Sequence, residues 1–146
     1  MPDPKELKRI DGLFNLASAR SRPFLDQCSE AKYLAVRDYN RAADETLKLA
    51  MQTLKFAGAN SPALTGEFSE IRSAVKAGQL DTDFIKQLST LRTKYIKQVL
   101  RPAVKTYLSN EDFKTSDLDS YYESALRIDG LLEVVQFLKR IRPDSF

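Results

Sequence analysis

Apolar residues recur along this chain at helical spacing, and nowhere do β-branched residues alternate as in a strand. Leu7, Ile10, Leu13, Phe14 and Ala17 form the first stripe. It follows Asp3-Pro4, an N-cap acid with proline at the first helical position. Ser21-Arg22-Pro23 reads as the end of that helix, with Pro23 opening a second, longer one that runs until Gly58. The inner stripe of the second helix is Phe24, Cys28, Ala31, Ala35, Tyr39, Ala42, Thr46, Leu49, Thr53 and Ala57. Its middle is poor in bulk, which lets a neighbouring helix approach closely. Its other face, Asp26, Glu30, Arg37, Arg41, Asp44, Lys48 and Lys55, is charge-balanced and solvated.

Pro62 starts a short third helix with Leu64, Phe68, Ile71 and Val75 inward, ended by Ala77-Gly78. Asp81 or Thr82 caps a fourth, whose core positions are Phe84, Leu88, Leu91, Tyr95 and Val99. Pro102 is expected to kink or end it, because proline lacks the N–H and crowds the preceding turn. After the acidic connection beyond Ser109-Asn110, Thr115 or Ser116 caps the last helix. Asp117 and Asp119 lie in its first turn, where the helix dipole favours carboxylates. Tyr121, Ala125, Ile128, Leu132, Val135 and Leu138 form its stripe, and Arg142-Pro143 closes it. The pattern thus predicts helices at about 4–20, 23–57, 62–77, 82–108 and 116–141. The fold class is all-α: a single domain over 1–146, an up-down bundle of four to five helices.

Composition agrees with a packed domain: 42% hydrophobic and 29% charged residues in 146, enough to bury a core without disulfides or metal. No apolar run is long enough to span a bilayer, and the first residues lack the apolar core of a secretory signal. The chain either stays where it is made or has already lost a targeting segment.

The chemistry is narrowed mainly by what is missing. With no histidine, the commonest general base and the Ser-His and Cys-His pairs are gone. A single cysteine cannot meet a zinc site's demand for Cys and His, and Cys28, on an apolar stripe, reads as an inert buried thiol. Asp81-Thr82-Asp83 lacks the glycine and distal glutamate of an EF-hand. The five glycines are too far apart for a phosphate loop. No catalytic, metal or cofactor residue is assigned, and no small-molecule substrate or cofactor is expected.

Two features point outward. Residues 82–109 have a net charge of +5, and residues 110–126 a net charge of −4. Lys86, Lys94, Lys97, Arg101 and Lys105 share one stripe opposite the apolar face, a candidate docking site for a larger assembly with an acidic surface. The same stripe leaves peripheral contact with an anionic membrane open. Nucleic acid ranks last, since no aromatic residue interleaves with the cations and whole-chain charge is only +3. The second feature is an echo: Arg9-Ile10-Asp11-Gly12-Leu13 recurs as Arg127-Ile128-Asp129-Gly130-Leu131. A mid-helix glycine costs about 1 kcal/mol relative to alanine, so Gly12 and Gly130 are read as close helix–helix contacts.

The stretch 118–132, with its Tyr121-Tyr122 pair, resembles the final helix of PsbQ-like proteins, the extrinsic subunits on the lumenal side of photosystem II. The stretch 83–92, with Leu91-Arg92 and then Leu100-Arg101-Pro102, resembles another helix of that family. The resemblance implies a four-helix up-down bundle without catalytic residues. It also implies a role in stabilising the oxygen-evolving side by docking through charged surfaces, and a place in the thylakoid lumen. Without the resemblance, the cytoplasm is the default compartment.

Overall fold

The computed structural model describes residues 4–59, 61–109 and 115–146, and within the helices it leaves undescribed the side chains of Glu6, Leu7, Arg9, Ile10, Leu13 and 115–117. The expected core positions Leu7, Ile10 and Leu13, the Asp3 cap and the Thr115 or Ser116 cap therefore lie outside the described residues. Every regular element among the described residues is helical: α1 (Pro4–Arg37), α2 (Tyr39–Gly58), α3 (Thr65–Lys76), α4 (Thr82–Tyr95), α5 (Arg101–Ser109) and α6 (Thr115–Ile141). A π turn, Ile96–Leu100, joins α4 to α5 in one rod, and 3-10 turns precede α3 and follow α6.

The rods alternate in direction. Phe14 stacks on Tyr122 at 4.1 Å, and Lys32 lies 3.5 Å from Glu133, so α1 and α6 run parallel. Arg142 covers the Tyr39 ring and Arg127 the Phe56 ring, which sets α2 antiparallel to α6. Arg92–Asp129 at 2.8 Å and the Thr82 hydroxyl donating to the Phe146 carbonyl set α4 antiparallel as well. α3 lies between α2 and α4 and runs against both. α6 is the hub, touching α1, α2, α4 and α5. Accordingly Leu118, Ile128, Leu131, Leu132, Val134, Val135 and Leu138 are buried around most of its circumference. The short α3 is additional to the four-helix bundle that the family resemblance implies.

The first helical boundary is not where the pattern placed it. α1 runs unbroken through Pro23, and the chain reverses at Asp38, inside the expected 23–57 helix. Proline in a helix interior typically costs about 3 kcal/mol. Here Ala17 on one side and Phe24 and Cys28 on the other are all buried, which keeps the helix continuous across the exposed proline ring. At Asp38 a single residue ends one helix and starts the next. Its N–H donates to the Leu34 carbonyl at 2.7 Å, its carbonyl accepts from Ala42, and its carboxylate accepts from the Arg41 N–H at 3.3 Å. Because the stripe from Phe24 to Ala57 keeps one phase, folding at Asp38 turns its two halves toward each other. All its members except half-buried Tyr39 are buried. The small residues Ala35 and Ala42 pack with Leu138 in the elbow. The low-bulk middle thus admits the chain's own return.

The remaining boundaries follow the pattern. Asp81 caps α4 by accepting from the Phe84 N–H at 2.8 Å. Gly78, at φ +71°, takes the left-handed conformation that closes α3. At Pro102 the helix does not end. It widens, and the Arg101 N–H reaches back to the Ile96 carbonyl, five residues away. That accommodates a ring that would otherwise press on the Gln98 carbonyl.

Candidate docking surface

The five cations of the expected stripe fall into two groups. Lys94 Nζ lies 3.0 Å from Glu67 Oε1, tying α4 to α3, and this hydrogen bond holds the Glu67 carboxyl below its ordinary range. Lys86 lines the same α3–α4 cleft, which also contains Glu67 and Glu70. Lys94 is therefore paired with a carboxylate of α3 and Lys86 shares a cleft with two, so the stripe is not single-signed along its whole length. α3 begins at Thr65, and among the described residues no ion pair from it reaches beyond Lys94. Past that point Lys97, Arg101 and Lys105 are exposed, and none pairs with a carboxylate among the described residues. Residues 96–109 contain these three cations and no acid. An i, i+4 row drifts by about 40° per step around an α-helix. The extra residue of the π turn offsets that drift between Lys97 and Arg101.

Several cations elsewhere are engaged within the molecule. Arg20 meets buried Asp119 at 2.6 Å, and Arg92 meets Asp129 across α4 and α6. Arg127 lies between the Phe24 and Phe56 rings, 5.0 and 4.3 Å from their centroids, and contacts Glu123 at 3.3 Å. This clamp of α1, α2 and α6 was not anticipated. Its signal in the sequence is the i, i+4 succession Asp119, Glu123, Arg127 along one face of the last helix.

The two halves of the echo differ. A Cβ on Gly130 would lie 2.8 Å from Leu25 Cδ2 and 3.6 Å from Cys28 Sγ, so α1 and α6 approach closely there. Gly12 is exposed, and among the described residues a Cβ there would meet nothing within 4 Å, which runs against its reading as a packing glycine. It lies on the outer face of α1, so the two glycines differ in their surroundings.

Other surfaces are less distinctive. A cleft of about 490 Å³ between α1 and α2 carries both signs of charge: Glu30, Arg41 and Glu45. Tyr33 and Val36 are 75% and 67% exposed beside Phe137, but the neighbouring cations are occupied, Lys32 by Glu133 and Arg140 by the Phe137 ring. Cys28 is 4% exposed, and burial pushes its thiol up to about 11, with Lys32 the largest opposing influence. A thiol so placed is a poor nucleophile. Among the described residues no three Cys, Asp or Glu side chains are grouped to hold a metal ion, and no helix is long and apolar enough to cross a membrane. Compared with protein-family models, curated proteins and solved structures, the chain finds no match.

Proposed function

We infer that this chain is a non-catalytic helical-bundle subunit or adaptor that docks on an acidic protein surface. The observation supporting this reading is the division of its cations. Arg20, Lys32, Arg92, Lys94 and Arg127 hold helices to one another or brace α6, whereas Lys97, Arg101 and Lys105 face solvent in a row that pairs with no carboxylate among the described residues. Exposed charges contribute little to folding, but a single-signed row steers and orients an oppositely charged partner. The resemblance of α6 to PsbQ-like proteins suggests the most concrete form of this role, an extrinsic subunit docked on the oxygen-evolving side of photosystem II.

Joint reversal of Lys97, Arg101 and Lys105 to glutamate tests the reading. Copurification with the native partner should be lost while the melting temperature stays nearly constant. Reversal of Arg37, Arg41 and Lys48, on the charge-balanced face, should leave copurification intact. Equal loss from both sets would mean that net charge alone matters. Undiminished binding by the first variant would remove the row from the interface. A vesicle or nucleic-acid partner would show itself by binding that collapses with moderate salt, whereas a packed protein interface loses much less.

A further inference from the structure

The geometry points to a groove beside this row as the receptor for one large apolar side chain of the partner, flanked there by acidic residues. The inference rests on the docking reading and specifies the partner's chemistry. The groove, about 290 Å³, lies between α5, the 61–63 segment and Tyr121 of α6. Its wall on the π turn and α5 is the row Gln98, Pro102 and Thr106, and the row Lys97, Arg101 and Lys105, one residue earlier at each step, adjoins it about 100° around the rod on the side away from the bundle. Val99 and Ala103 complete the α5 side.

Pro102 and the π turn explain why the recess exists. α4 buries Phe84, Leu88, Leu91 and Tyr95, whereas the π turn buries no residue and α5 only Ala103. Beyond Tyr95 the rod is only half-buried, with Val99 packed at the edge of the core, and a recess remains beside it. A phosphate-bearing surface would engage the cations and have no use for the recess. A protein segment engages both, in the arrangement typical of interfaces: an apolar anchor in a pocket, surrounded by polar contacts that exclude water. Pro102 and the packed Tyr121 ring give that pocket stiff walls, so little ordering opposes binding.

The test uses the full chain and fluorescence anisotropy at low ionic strength. One labelled peptide places phenylalanine between runs of glutamate; its control has alanine at the centre. The phenylalanine peptide should bind about tenfold tighter, the scale expected for burying one aromatic side chain. Thr106→Phe, at an exposed position on the groove wall, should abolish that preference while keeping the weaker, charge-driven binding of the alanine peptide. Ala63→Phe serves the same purpose should the first variant lose its helical circular dichroism. Joint reversal of Lys97, Arg101 and Lys105 should abolish both. Equal affinity for the two peptides, lost on charge reversal, would overturn the groove and leave the docking row standing. Peptide binding that survives the reversal would overturn the row as well. Failure of both peptides to bind, or stronger binding to phosphatidylserine vesicles than to either, would overturn the acidic-segment proposal.

Discussion

Replacing Gly130 with leucine should destabilise the bundle, whereas replacing Gly12 with alanine should stabilise it. At Gly130 even a Cβ would sit 2.8 Å from Leu25 Cδ2, with Cys28 Sγ at 3.6 Å and Phe24 Cε1 at 3.9 Å. Leu25 is half-buried, and its terminal methyl can swing away, so alanine asks only for a rotamer change. The displacement then roughly offsets the ~1 kcal/mol that alanine gains over glycine in a helix, and Gly130→Ala should be near neutral. Leucine adds three more carbons where Phe24 and Cys28 already pack. Overpacking of this kind typically costs about 1–3 kcal/mol. At Gly12 there is nothing to displace, and alanine should gain about 0.5–1 kcal/mol through helix propensity alone. Urea denaturation followed by helical circular dichroism reads both variants, and a change of 1 kcal/mol in a chain this size corresponds to roughly 2–4 °C in melting temperature. A neutral or stabilising Gly130→Leu would refute the close α1–α6 approach, and a destabilising Gly12→Ala would place an unseen contact on the outer face of α1.

Cys28 should resist alkylation at pH 8 in the folded protein and react promptly in urea, because burial holds its thiol near 11; fast native labelling would contradict its place in the core. The Lys94–Glu67 pair carries a pH dependence. The folded carboxyl titrates below its ordinary 4.5, so the stability it contributes is present above about pH 4.5 and lost as pH falls through the lowered folded value. Glu67→Gln should therefore flatten the acid limb of a stability-versus-pH curve, and an unchanged limb would mean that solvent screens the pair completely.

The buried positions of α3 and α4 were legible because each carries an uninterrupted helical stripe with a clear cap or stop, Asp81 before Phe84 and Gly78 after Val75. On α6 the stripe held for Ile128, Leu132, Val135 and Leu138, but Tyr121 and Ala125 are half-buried and the buried Leu118, Leu131 and Val134 lie outside it. The α1–α2 stripe was legible in the same way, yet the helix break was misplaced. Proline is a strong local signal and Asp38 a weak one, and tertiary burial on both sides of Pro23 overrode the local preference. The basic stripe was visible as spacing. Its division at Lys94 was not, because that depends on α3 laying Glu67 and Glu70 along α4. The groove under α5 follows from one visible residue, Pro102, but its far wall comes from residues 61–63 and Tyr121, which are distant in sequence. The glycine echo shows the opposite hazard. Matched residues at Gly12 and Gly130 lie in unlike surroundings, one exposed and one pressed by α1, and sequence alone offers no way to tell them apart.

Zero-length carbodiimide coupling of the native assembly, read by mass spectrometry, tests the docking claim most directly, because it joins an amine only to a carboxylate already in contact with it. Lys94 should couple to Glu67 within the chain, an internal control set by their 3.0 Å separation. Lys97 and Lys105 should couple to aspartates or glutamates of another chain. Intermolecular links confined to lysines elsewhere, such as Lys32 or Lys48, with Lys97 and Lys105 left free, would contradict the account.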